Sequence, residues 1–262
     1  MTTKIFDSHF HLLFKHHVSV KEKDKPFNLD EEVKTKSFGK LANDLFGGPF
    51  DSQSSPSQVA KSNLYLGITS ILSMEHAFAN QILRRGGIDM SHILPLDFEM
   101  VERTKNGKTT YYKEFNLQLD FHIKNKKFLI NKYNIYFLNR TDALGDKSEE
   151  DIKNYLKKGD NHYFVLSIEG GHNLSTSPVH IASELPIHPE KQLKEIQDRD
   201  DCDFISLNLC HLSHIPEQYL GGFAQGHNGL AMLAFKSNDS VSYTHLRAHE
   251  TKANLVCRLL LE

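Results

Sequence analysis

Four runs in this chain are apolar on nearly every residue: ITSILSM (68–74), NIYFLN (134–139), YFVLSI (163–168) and FISLNL (204–209). A strand with one wet face alternates apolar and polar residues, whereas a strand covered on both faces has no need to. Runs of this second kind belong to parallel sheets carrying helices on each side. A fifth, shorter run, Lys4-Ile5-Phe6-Asp7, leads into His9 and His11. Helix signals fall between the runs. Ser55-Pro56 starts one over 56–66, with proline at its first position. AFANQILRR, closed by Gly86-Gly87, makes a short helical piece, and YYKEFNLQLDFHIKN (111–125) makes another. Residues 103–110 read as a polar loop. Ser148-Glu149-Glu150-Asp151 opens a helix through 158, with acids at its positive end, and PEKQLKEIQDRDD (189–201) forms the last.

Strands alternating with helices define an α/β fold with a parallel sheet. Both an open doubly wound sheet and a (β/α)8 TIM-type barrel fit five such units by residue 210. No phosphate-binding glycine fingerprint follows the first strand, which counts against a dinucleotide-binding sheet. Residues 15–55 form a long polar excursion, and an excursion of that length suits a lid over a site. The last stretch, VSYTHLRAHETKANLVCRLLLE (241–262), resembles a translated sequencing-adapter tail and is set apart from the fold. The expected organisation is therefore an incomplete barrel over 1–240 and a non-native tail over 241–262, with His245 and His249 carrying no function.

The bulk chemistry excludes several classes. A formal charge of -2 provides no basic field for nucleic acid or anionic lipid. No stretch approaches the roughly 20 apolar residues that span a bilayer. The start, MTTKIFDSHFHLL, has no secretory pattern. Cys202, Cys210 and Cys257 are too few and too odd in number for a disulfide framework, which fits a reducing, cytoplasmic setting. Self-association is left open.

The candidate chemistry sits at strand ends. Residues 165–174 read VLSIEGGHNL, in which a buried strand stops on Glu169, two glycines and His172. An unpaired carboxylate there costs several kcal/mol, and one metal ion or two would neutralise it. Gly170 and Gly171 let the backbone turn sharply and pass close by. His9 and His11 point to one face of the first strand and offer two imidazole ligands of a kind that suits zinc. With 16 histidines in the chain, His-x-His arises about once by chance, so its position after the first strand matters more than its spacing. Two histidines capping a strand without metal, and a glutamate paired to a distant lysine, remain alternatives. His172 suits a lining or outer hydrogen-bonding role. In SLNLCHLSHIPEQYL (206–220), His211 sits where a strand should end and can hold a carbonyl oxygen as charge develops on it. His214 shares that face only if a helix has begun.

Together these segments resemble the membrane dipeptidase family, also called renal dipeptidase-like. VLSIEGGHNL is similar to that family's strand ending in E-G-G-H, and FISLNLCHLSHIPEQY to its strand, histidine and polar loop. GHNGLAML (226–233) is similar to the Gly-Leu opening of the next segment. The resemblance implies a (β/α)8 barrel holding two zinc ions, with Glu169 bridging them and His211 binding substrate. It implies hydrolysis of small dipeptides by a metal-activated water. His9 carries over directly. His11 stands where the family has aspartate, in the His-x-His pattern of the wider amidohydrolase and TatD-like hydrolases, and leaves the site one charge more positive. The family's two late metal histidines have no counterpart before residue 240, so a longer natural protein is expected. The alternatives are a hydrolase of another small amide, lactone or ester, and a non-catalytic ligand-binding barrel.

Overall fold

The computed structural model describes residues 4–22, 25–35, 40, 51–52, 54–76, 79–80, 95–138, 149–157, 160–169, 171–182, 190–199 and 206–208. In chain order the elements are β1 (Ile5–Phe10), α1 (Phe14–Val18), β2 (Val20–Glu22), β3 (Lys25–Pro26), α2 (Pro56–Ala60) and β4 (Leu64–Ile71). There follow α3 (Phe98–Lys105), α4 (Tyr111–Tyr133), β5 (Ile135–Phe137), α5 (Glu149–Leu156), β6 (His162–Glu169), a 3-10 turn (Gly171–Leu174), α6 (Glu190–Gln197) and β7 (Ser206–Asn208).

All five expected strands enter one sheet, and every pairing in it is parallel. The order is β1-β4-β6-β5, with β7 also on β6. β4 takes one edge of β6 from Leu66↔Tyr163 through Ile71↔Ile168. The other edge is shared: β5 pairs its first residues from Ile135↔His162, and β7 its last, ending at Glu169↔Asn208. Among the described residues the sheet does not close on itself. β5 lies outside β6 instead of between β4 and β6, so the longer strands β1, β4 and β6 are direct neighbours.

The core explains the uninterrupted apolar runs. Ile71, Phe164, Leu166 and Ile168 from the sheet meet Phe115, Leu119 and Leu129 of α4, together with Val59 of α2 and Ile196 of α6. α4 runs longer than its apolar signal because the polar stretch Lys124-Asn125-Lys126-Lys127 precedes Phe128 and Leu129, which return to the core. It stops at Asn134, whose left-handed φ of 53° lets the chain turn into β5. The predicted 103–110 loop begins inside α3, which Asp97 caps through the N–H groups of Glu99 and Met100.

The helix expected over 56–66 starts as read, with a capping box from Ser55 to Gln58. It ends at Ala60, because Leu64 and Leu66 are claimed by Ile5 and Phe6 of β1. The strand expected over 68–74 accordingly spans Leu64–Ile71. It stops at Ile71 because the next N–H groups find side chains: Leu72 donates to Gln118 Oε1 at 3.2 Å and Ser73 to Asn173 Oδ1 at 2.9 Å.

The described part of the 15–55 excursion is anchored. It contains α1 and the antiparallel ribbon β2–β3. Leu29 joins the main core and Val33 is fully buried. Ser54 Oγ donates to the main-chain oxygen of His11 at 2.9 Å. The piece Ala77 to Gly87 lies largely outside the described residues. So do residues 41–50 of the excursion expected as a lid, the three cysteines, and the whole of 209–262.

Gly67 sits where β1 presses on β4. A Cβ there would lie 2.9 Å from the backbone oxygen of Asp7 and 2.9 Å from the Phe10 ring. Backbone cannot yield as a flexible side chain can. Gly67→Ala therefore lowers stability by the about 1–3 kcal/mol typical of overpacking, read as a fall in the urea midpoint. An unchanged midpoint would show that β1 does not press on β4 at this residue.

Candidate metal centre

Three side chains predicted from two distant segments converge at the C-terminal ends of β1 and β6. His9 lies on β1, His11 just beyond it, and Glu169 is the last residue of β6. Glu169 is 3% exposed. Its Oε2 lies 3.4 Å from His9 Nε2 and 3.0 Å from His11 Nε2. One ligand atom from each residue falls within 4.8 Å of the others.

Local structure sets this convergence. Between Asp7↔Gly67 and Phe10↔Thr69, β1 advances one residue more than β4, which is a bulge. The His9 N–H there donates to Asp7 Oδ1 at 2.9 Å. Beyond the strand, the Leu12 N–H donates to Thr69 Oγ1 at 2.9 Å, fixing the exit of the chain after His11. On the other side, Asn173 Nδ2 donates to the main-chain oxygen of Glu169 while Asn173 Oδ1 accepts from Ser73 N–H. One asparagine so ties the loop after β6 to the loop after β4. Gly171 opens the 3-10 turn there, and Gly170 lies outside the described residues.

Hydrogen bonding fixes which nitrogen of His11 carries its proton. His11 Nδ1 lies 3.0 Å from the carbonyl oxygen of Ser70. A carbonyl only accepts, so Nδ1 is the donor. In the neutral ring Nε2 is then a lone pair, and it faces a carboxylate oxygen at 3.0 Å. Two acceptors do not hold one another at that distance. A proton shared between the ring and the carboxyl, or a cation between them, resolves the contact. Tetrahedral zinc with bonds of about 2.0–2.2 Å separates its ligand atoms by about 3.3 Å. The two Glu169 distances bracket that edge. The donor set, two imidazoles and a carboxylate, suits zinc and similar ions.

His172 is buried, and its ring meets Tyr111 edge-on at 5.0 Å, outside the three-residue group. His211 and His214 lie outside the described residues.

Sequence reasoning passed over four residues that shape this site. Ser70 and Ser167 face each other in register on β4 and β6, both buried, and share a hydrogen bond of 3.0 Å. Their signal was present: each is a hydroxyl interrupting an apolar strand. Asn173 stands two residues past the second glycine of the quoted motif. Glu75, in the loop after β4, had no signal at all. Burial, and then the negative charge of Glu169, push its carboxyl up to about 7.

Comparisons with known protein families, with curated proteins and with solved structures each returned no match.

Behind His11, α4 presents His122, which is 1% exposed. Its Nδ1 donates to the main-chain oxygen of Gln118 at 2.8 Å. Burial first, and then the neighbouring His17 and His11, lower its pKa to about 4, against the hydrogen bond to Gln118. The unfolded chain takes up this proton near pH 6.5 and the folded chain only near 4. Stability from this group is therefore complete above pH 6.5 and is lost as pH falls toward 4. One such proton gives a slope of about 1.4 kcal/mol per pH unit. Urea titrations across that window should show a shallower pH dependence in His122→Leu than in the wild type. Parallel curves would place the buried proton elsewhere.

Proposed function

We propose that this chain is a metal-dependent hydrolase of small amide bonds, acting on dipeptides. The contact between the His11 Nε2 lone pair and Glu169 Oε2 carries this reading, because a cation satisfies both atoms and also the buried charge. The position of the group supports it. Parallel sheets of helix-covered strands keep their sites at the C-terminal strand ends, and His9, His11 and Glu169 all stand there. The fold we infer is an arc of a (β/α)8 barrel, in which β1, β4, β6 and β7 are neighbours in chain order and β5 is a side strand. The resemblance of VLSIEGGHNL to the membrane dipeptidase strand supports the substrate class.

Zinc bound here would supply Lewis acidity, polarising a carbonyl oxygen and bringing the pKa of water to about 7. The chain's own residues do the rest. His9 and His11 would hold the ion. The buried Glu169 carboxylate would offset part of its charge. The Glu75 carboxyl, at about 7, can hold or release a proton at neutral pH beside that charge. His211 is the residue we assign to the carbonyl oxygen. No helix among the described residues is long and apolar enough to cross a membrane.

One observation favours a second reading. His11, a neutral ligand, meets Glu169 where the resembled family has aspartate. That pattern suits the wider amidohydrolase and TatD-like hydrolases, whose substrates include lactones and esters.

Zinc competition against a chromophoric chelator tests the ion. The wild-type chain should bind zinc, and His11→Ala and Glu169→Gln should each weaken binding by more than the about 10-fold lost with an outer hydrogen bond alone. Equal zinc uptake by Glu169→Gln rejects the metal centre. A panel of dipeptides against lactones then separates the two substrate classes.

A further inference from the structure

The metal-centre reading rests on Nε2 of both imidazoles being unprotonated, and one residue touches the opposite nitrogen of each. The main-chain oxygen of Ser70 accepts from His11 Nδ1 at 3.0 Å. The Ser70 hydroxyl lies 3.3 Å from His9 Nδ1 and 3.0 Å from Ser167 Oγ. We propose that Ser70 is the positioning residue of the centre, locking His11 in the metal-binding tautomer by its carbonyl and steering His9 into the same tautomer by its hydroxyl.

The two contacts differ in kind. A carbonyl oxygen has no proton to give, so His11 keeps its proton on Nδ1 in every state of the site. A hydroxyl both donates and accepts. With an ion held between His9 and Glu169, His9 Nδ1–H donates to Ser70 Oγ, and the Ser70 proton passes its bond on to Ser167 Oγ. With no ion, the hydroxyl can turn and donate to Nδ1, while His9 carries its proton on Nε2 toward Glu169 Oε2. His9 holds one proton in both arrangements, so nothing is titrated. His11 is thus a fixed ligand and His9 an adjustable one.

Burial makes this arrangement effective. Ser70 is 1% exposed and Ser167 fully buried, so water does not compete for the hydroxyls. The register places them directly opposite on adjacent strands, two residues before the strand end that bears Glu169. The same pairing that positions Glu169 therefore positions the hydroxyl behind His9. Outer-shell partners of this kind commonly account for about 10- to 100-fold in metal affinity.

The test measures zinc affinity by chelator competition and ring tautomers by nitrogen-15 NMR of the histidines. Ser70→Ala removes the hydroxyl and keeps the carbonyl. It should weaken zinc about 10- to 100-fold and shift the His9 Nδ1–H resonance of the zinc-bound chain, which loses its acceptor, while His11 keeps its proton on Nδ1. Ser70→Thr restores the hydroxyl and should bind within a few-fold of the wild type. Should Ser70→Ala fail to fold, Ser167→Ala carries the test: it removes the acceptor for the Ser70 proton and should weaken zinc several-fold. Zinc affinity unchanged in Ser70→Ala, or in Ser167→Ala, overturns the proposal while Glu169→Gln still loses zinc. A wild-type chain that binds no zinc overturns both this proposal and the metal centre.

Discussion

A buried carboxylate facing a fixed lone pair is the constraint on which the site depends. Glu169 is almost wholly withdrawn from water at the end of β6. The imidazole nearest to it has already given its one neutral-state proton to the Ser70 carbonyl. Charge and lone pair thus face each other at 3.0 Å, the carboxylate buried and the imidazole partly exposed. Such a contact persists only if something positive lies within it. A proton would make His11 an imidazolium and the pair an ordinary buried ion pair. A divalent cation would satisfy His9, His11 and Glu169 together, and it accounts for why a second imidazole stands 5.0 Å away in an edge-on arrangement.

The sheet makes that contact possible. β4 and β6 pair without a register break over six residues, from Leu66↔Tyr163 to Ile71↔Ile168. Every side chain along that seam has a fixed opposite number, so Ser70 meets Ser167 and Glu169 projects one step beyond Ile168. β1 is less regular. Its bulge next to His9 sits where the strand leaves the ladder, a common device for re-aiming a side chain at a site. The regular seam holds the carboxylate and the irregular one brings the imidazoles to it.

How far this was legible in the sequence follows from the reach of each signal. The parallel sheet was readable because strands buried on both faces lose their alternation, and all five runs became strands of one sheet. The three converging residues were readable because a carboxylate and two histidines at apolar strand ends are costly to keep without a reason. Strand limits were not readable. Leu64 and Leu66 look like the end of a helical pattern until β1 and β6 claim them, and Leu72 looks like strand until Gln118, far along the chain, takes its N–H. The position of β5 beside β6 depends on non-local pairing of three residues, which no local pattern encodes. Ser70, Ser167 and Asn173 are short polar residues whose meaning lies in what stands opposite them, and that is known only once the register is.

Charge balance ties the remaining feature to the rest. Two imidazoles and one carboxylate bring a single negative charge to the group, so a dication held there keeps a net positive charge. An aspartate in place of His11 would cancel it. Burial raises the pKa of the Glu75 carboxyl, and the charge of Glu169 raises it further. A cation placed against Glu169 reverses the sign of that influence and favours the ionised form of Glu75. The carboxyl whose pKa burial, and then its neighbour's negative charge, raise to about 7 is then the one whose ionisation would restore the balance that His11 leaves open. A neutral ligand at His11 and a carboxyl of raised pKa at Glu75 are in that sense two sides of one electrostatic arrangement.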